Sequence, residues 1–236
     1  MKESPKLNTI GGSVEKKLNI LCIGAHPGDQ EFGCGGTMAK YSDAGHAVCL
    51  LYLTRGEGWG GDPSLTPAQA GAIRTKEAEE ACKILNAKPV FLSQINGEVE
   101  FNQMRAEEMT KMILSLKPDI VFTQWPLDSH MDHQILGCLT YTAWIKADQK
   151  FDLYYYEVDT GSESVRFTPT DYVDITSVHD RKMKAMFAHK SQGPQDFYDK
   201  DFKKMEEYRG LEAGVKVAEA FIHFKNKADR ATMMGL

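Results

Sequence analysis

The chain has 236 residues, 42% of them hydrophobic and 26% charged, with a formal net charge of −5. That length and mix suit one α/β domain with elaborations, and a core of this size needs no disulfide to stabilise it. An acidic balance without a basic stripe argues against nucleic acid and anionic membranes, and no run approaches the roughly 18 apolar residues of a membrane span. The five cysteines, Cys22, Cys34, Cys49, Cys82 and Cys138, are odd in number and contain no CxxC pair. Buried thiols in a reducing compartment are expected.

Residues 1–17, rich in Lys, Ser and Gly, read as a flexible lead-in that lacks the apolar stretch of a secretory leader. A cytoplasmic protein is expected, with a mature secreted form left open. Residues 18–236 read as a single domain without internal repeat or low-complexity tract. The apolar run from Leu18 to Gly24 predicts a first strand, and Thr37 to Ala44 a helix ended by Gly45. His46 to Thr54 predicts the second strand, followed by the loop Arg55 to Pro63. Ser64 to Asn86 is a helix candidate in which Thr66-Pro67 fits a cap followed by proline at the first helical position. Its apolar face is expected to carry Ile73, Ala81, Ile84 and Leu85, with Arg74, Lys76, Glu77 and Glu80 on the other side.

Pro89 to Leu92 predicts a third strand, Gln103 to Leu116 a helix, Ile120 to Thr123 a fourth strand, and His133 to Lys146 a helix. This alternation calls for a mostly parallel sheet with helices on both faces. The remainder is less regular. Leu153 to Val158 and Tyr172 to Ile175 read as strands, and Thr176 to His189 as a helix capped by Thr176. Tyr198 to Phe224 reads as helical stretches interrupted by Gly210 and Gly214.

Two polar knots follow apolar strands. The first is Gly24-Ala25-His26-Pro27-Gly28-Asp29-Gln30-Glu31, leading to Gly35-Gly36. The second is Asp128-Ser129-His130-Met131-Asp132-His133. In an α/β fold both would lie outside the carboxyl ends of their strands, where ligands bind. Imidazole and carboxylate are zinc ligands, so the two knots are expected to meet and hold one metal. His26, Asp29 and His133 make a set that leaves the fourth position open to water, a site that can polarise a carbonyl and acidify water. The alternative is that His26 and Asp29 only cap the next helix. His130 then suits a general acid or oxyanion donor, and Asp132 can either orient an imidazole or cap the helix near His133. Gly35-Gly36 lacks the full GxGxxG spacing, which leaves a dinucleotide site a weak competitor.

The pattern Ala25-His26-Pro27-x-Asp29-x-Glu31 with Gly35-Gly36, together with His130-x-Asp132-His133, resembles the LmbE-like (PIG-L) family of zinc-dependent de-N-acetylases. The resemblance extends to Thr54-Arg55-Gly56-Glu57, to Arg74 with Glu77, and to Ala188-His189-x-Ser191-Gln192. It implies a Rossmann-like fold and hydrolysis of the acetyl group from an N-acetylglucosamine-type sugar or conjugate. Zn2+ or another divalent ion would sit on His26, Asp29 and His133. His130 would be the acid or oxyanion partner, tuned by Asp132, and Arg74 would contact substrate. Assembly into a homo-oligomer is compatible with the resemblance.

One position departs from the family pattern. The residue after the proline, an aspartate that serves as general base in the family, is Gly28 here. Another carboxylate could take over, with Asp128, Glu57, Asp62 and Glu31 as candidates. The metal with His130 could suffice, or the protein could act as a carbohydrate-binding protein without turnover. Trp59 and Trp125, at expected strand ends, could stack on a sugar, and Glu57 lies in the loop expected to set specificity. The Tyr154-Tyr155-Tyr156 run reads as strand packing. His189 either lines the site or caps its helix.

Overall fold

Asn19–Gly24, with the sequence NILCIG, is buried from its second residue onward and forms β1 near the middle of the sheet. The computed structural model describes residues 16–58, 62–159 and 163–225. Most of the expected lead-in, and Trp59, therefore lie outside the described residues. β1 pairs in parallel with β2 (Ala47–Tyr52) on one side and β4 (Ile120–Gln124) on the other. β3 (Lys88–Phe91) continues beyond β2 and β5 (Asp152–Tyr156) beyond β4, both parallel. β7 (Ala218–Phe224) runs antiparallel to β5, and β6 (Asp171–Asp174) antiparallel to β7. The seven-stranded order is β3-β2-β1-β4-β5-β7-β6.

Side chains alternate across β1, so Ile20 and Cys22 enter one core and Leu21 and Ile23 the other. The first core is covered by α1 (Asp29–Asp43), α2 (Pro67–Leu85) and α5 (His179–Met186). The second is covered by α3 (Gln103–Leu116) and α4 (Met131–Lys146), with Trp144 fully buried. This is the expected α/β architecture. The strand order reverses between β1 and β4, and at such a point the loops leaving the two strands diverge and open a crevice. Both polar knots leave from those two strand ends. No helix among the described residues is long and apolar enough to cross a membrane.

Several elements differ from their sequence expectations. α1 starts at Asp29 rather than Thr37 and is broken at Cys34 (φ −150°, ψ 22°). The Glu219 carboxylate accepts from the Gly36 and Thr37 amides at 2.8 and 2.7 Å, so it caps the second half of the helix from a distant strand. α2 has the expected Thr66 cap, completed by Gln69. Its buried face, however, is Gly71, Arg74, Ala78, Ala81, Cys82 and Leu85, while Ile73 is 37% exposed. Arg74 is thus on the inner side of its helix. The cap of α4 is His130 and not Asp132. Thr176 does not cap α5; its amide instead donates to Asp174 Oδ1 at 2.9 Å.

The largest correction concerns the C-terminal region. α7 (Lys203–Ala213) ends at Gly214, which takes φ 73°. The chain then re-enters the sheet as β7, with Tyr155 opposite Ile222 and Tyr172 opposite Ala220. Its sequence AEAFIHF carries good helix formers, and pairing on both sides overrides that local preference.

Candidate active site

The crevice between β1 and β4 is stitched by one side chain. Gln124, the last residue of β4, accepts from the Ala25 amide at 2.9 Å and donates to Asp29 Oδ2 at 3.0 Å. The turn between β1 and α1 is tight. The His26 amide donates to Asp29 Oδ2 at 2.8 Å, and Gly28 takes φ 112° and ψ −37°, a conformation that glycine alone adopts readily. That geometry turns His26 and Asp29 toward the start of α4.

Three atoms converge there. His26 Nδ1 lies 3.3 Å from Asp29 Oδ2, His133 Nε2 lies 3.5 Å from Asp29 Oδ2, and His133 Nε2 lies 3.3 Å from His26 Nδ1. A tetrahedral zinc with bonds of about 2.0–2.1 Å would space its ligand atoms about 3.3–3.4 Å apart. The triangle therefore fits a metal ion with a fourth position open. The outward nitrogens are held as well. Asp132 Oδ2 is 2.9 Å from His26 Nε2, and Asp128 Oδ1 is 3.2 Å from His133 Nδ1. Carboxylates behind both imidazoles fix their tautomers and orientations, as around metal-bound histidines.

The charges are mutually dependent. Burial pulls the His26 pKa down, yet Asp29, followed by Asp132, raises it to about 9. Burial pushes Asp29 up, but His133 and His26 hold its carboxyl well below the usual range. His130 accepts the Asp132 amide at Nδ1, 3.2 Å away, so its neutral form carries the proton on Nε2. It stacks on His133 with ring centroids 4.6 Å apart and meets His26 edge-on at 4.7 Å. Burial and the two neighbouring imidazoles depress its pKa. At neutral pH it is an N–H donor at the rim of the cluster.

A cavity of about 260 Å³ opens over this cluster, lined there by His26, Asp29, His130 and His133. Phe32, Val158, Phe197 and Phe202 give it an apolar side, while Asn96, Glu163 and Gln192 supply polar groups. Arg74 also lines it; its Nη1 donates to the Gly56 carbonyl at 3.1 Å and its Nη2 to the Pro27 carbonyl at 2.9 Å. Gln192 donates to the same Pro27 carbonyl at 2.9 Å, so two side chains clamp the peptide that precedes Gly28.

The other expected site residues lie elsewhere. Glu57 is not on the cavity wall; its Oε2 ties the amides of Arg55 and Asn96, both at 3.3 Å. His189 is fully buried beside Glu31, with Nε2 3.3 Å from Oε1, and does not line the cavity. Trp125 packs edge-on to Tyr155 and Phe167 and donates to the Val165 carbonyl. Asp128 faces the far side of His133 and takes bonds from the His130 amide and Ser164 Oγ. Of the remaining carboxylates considered in place of the missing aspartate, Glu31 accepts the Tyr52 hydroxyl at 2.7 Å and Asp62 accepts from Ser64.

Sequence reasoning missed Glu163, Asn96, Phe197 and Phe202. It quoted Gln192 in a motif but gave the site role there to His189. Glu163 enters from the β5–β6 connection with Oε2 3.8 Å from His133 Nδ1. Burial raises its carboxyl to about 7, against the lowering effect of His133.

A doubly wound α/β sheet with a His-Asp-His cluster at its reversal point defines a protein built to hold one metal ion under a small-molecule cavity. A model of the PIG-L family, described as GlcNAc-PI de-N-acetylase, matches residues 21–144, and the chain belongs to this LmbE-like family. Diacetylchitobiose deacetylase from Thermococcus kodakarensis is 27% identical over 206 residues, covering 82% of this chain and 76% of its own. The solved structure of N,N'-diacetylchitobiose deacetylase from Pyrococcus horikoshii, bound to an inhibitor, superimposes with a TM-score of 0.79 at 27% identity. That match covers 92% of this chain and 87% of the other. A different activity also occurs among the relatives: 4-oxalmesaconate hydratase from Pseudomonas putida is 28% identical, with 71% of each chain covered.

Proposed function

We propose that this chain is a metal-dependent hydrolase that removes the acetyl group from an N-acetylglucosamine-type sugar or conjugate, releasing acetate and a primary amine. The observation that carries this reading is the triangle of His26 Nδ1, Asp29 Oδ2 and His133 Nε2, with edges of 3.3 to 3.5 Å, at a cavity wall. The donor set of two imidazoles and one carboxylate suits zinc and admits other divalent ions. A divalent ion there supplies Lewis-acid polarisation of the acetyl carbonyl and acidifies a water.

The chain's own groups do the rest. Asp132 and Asp128 orient the two histidine ligands from behind. His130 presents its Nε2–H where an oxyanion develops on the acetyl carbon. The Phe32, Phe197 and Phe202 rings offer apolar faces to a sugar ring or its conjugate. The lining also supports the deacetylase over the hydratase reading. Arg74 spends both terminal nitrogens on backbone carbonyls, and Asp29 and Glu163 add negative charge, so an anion such as 4-oxalmesaconate meets little compensation.

Gly28 favours one second reading, a carbohydrate-binding protein without turnover. Incubation of the metal-loaded chain with a panel of N-acetylglucosamine conjugates, read by an amine-reactive dye and by acetate release, separates the two. Amine release that is abolished in His133→Ala is the expected result. Ligand-induced thermal stabilisation with no amine formed would replace hydrolysis by binding.

A further inference from the structure

The family's general base is missing at Gly28, and every alternative carboxylate considered from the sequence is turned away from the cavity. Glu31 is held by Tyr52, Asp62 by Ser64, and Glu57 by two loop amides. Asp128 stands behind His133. The cavity wall nonetheless carries a carboxylate from a part of the chain with no motif. We propose that Glu163 is the general base of this site, an assignment that rests on the deacetylase reading above.

Its placement is built rather than incidental. The segment carrying Glu163 is pinned to the second polar knot by three bonds. The Ser129 amide donates to the Glu163 carbonyl at 2.9 Å, Ser164 Oγ to Asp128 Oδ2 at 3.0 Å, and the Val165 amide to the Leu127 carbonyl at 2.9 Å. Asp128 and Ser164 also form a β-bridge. The same residues that orient His133 therefore fix where Glu163 emerges. Its Oε2 lies 3.8 Å from the His133 ring and faces the cavity that Gly28 also lines. A base must reach the attacking water directly or through one water, and such contacts tighten when substrate binds. Asp159 lines the cavity too, but of the two acids only Glu163 forms a cluster with Asp128 and His133.

The step balances as follows. Glu163 takes a proton from water as the water oxygen bonds to the acetyl carbon, and the carbonyl π pair moves to oxygen, where His130 Nε2–H donates to it. The resulting tetrahedral adduct collapses with cleavage of the C–N bond. Glu163 returns its proton to the departing nitrogen, leaving acetic acid, which ionises to acetate, and a primary amine.

The test compares wild type, Glu163→Gln, Glu163→Asp and Asp159→Asn, each checked for metal content and melting temperature. The assay is amine release from N-acetylglucosamine conjugates. Glu163→Gln should keep its metal and KM while kcat falls about 10²–10⁴-fold. Glu163→Asp, which keeps the charge but shortens the reach, should fall in between, and Asp159→Asn should stay within about threefold of wild type. If the glutamine variant loses metal or folds poorly, Glu163→Asp decides: metal-loaded with unchanged kcat, it overturns the assignment. A metal-loaded Glu163→Gln within tenfold of wild type overturns it too and leaves the deacetylase reading standing. A wild type that is metal-loaded and inert on the whole panel overturns both.

Discussion

Restoring the family's aspartate, Gly28→Asp, is the perturbation that tests most of the site at once. Gly28 sits at φ 112° and ψ −37°, outside the left-handed helical region that an aspartate tolerates. Holding a side-chain residue there costs about 1–3 kcal/mol. A Cβ at this position would lie 3.3 Å from Gln192 Nε2, the atom that donates to the Pro27 carbonyl. Displacing that bond adds about 0.5–1.5 kcal/mol. Together the substitution should destabilise the fold by about 2–4 kcal/mol, which for a chain of this size lowers the melting temperature by about 4–16 °C. With Glu163 already serving as base, amine release should not rise. Melting curves on metal-loaded protein and the amine assay suffice to check both parts. An unchanged melting temperature with activity raised about 10²-fold would refute the strain reasoning and the role given to Glu163 together.

The other expectations concern the metal and the buried charges. His133→Ala should lose most of its metal by elemental analysis, and equal content in the variant and wild type would sink the ligand set. Asp132→Ala frees His26 Nε2 and should weaken metal binding about 10–100-fold in a chelator competition, with the fold retained. Glu206 sits 2.7 Å from Lys182 and 2.8 Å from His179. Burial pushes its carboxyl up, but Lys182 and His179 hold it below its ordinary 4.5. A depressed carboxylate contributes stability above its unfolded value, and that contribution is lost as pH falls through the folded one. Melting temperatures from pH 7 down to pH 3 should therefore fall more steeply in wild type than in Glu206→Gln. The variant should be less stable at pH 7, where buried Lys182 has lost one of its two carboxylates.

The first two-thirds of the fold was legible because its signals are local. Apolar runs such as NILCIG and AVCLLY lie between glycine turns and amphipathic segments, and parallel strands with helical crossovers are the arrangement that buries them. The signal failed where a distant partner overrides local preference. β7 carries Ala-Glu-Ala, yet β5 and β6 hold it extended from both sides. Arg74 looked like part of a solvated helix face; the Pro27 and Gly56 carbonyls draw it inward and leave Ile73 exposed.

The site divides along the same line. His26, Asp29, His130, Asp132 and His133 were readable because each lies within a few residues of the end of β1 or β4, so strand topology alone brings them together. Their roles were less readable: Asp132 was expected to tune His130, and its carboxylate instead meets His26 across the crevice. Glu163 could not be found by motif at all, since its position depends on a bridge between Asp128 and Ser164 that no sequence spacing encodes. This bears on the missing aspartate. A base supplied by the turn after β1 is tied to one position and one backbone conformation, and Gly28 has given up both. A base supplied from a crossing segment needs only the bonds that pin that segment to the second knot, and those bonds also hold Asp128 behind His133. Loss of a motif aspartate is therefore not by itself loss of the proton acceptor: what decides is whether a carboxylate reaches the cavity from any wall, and in this chain Glu163 does.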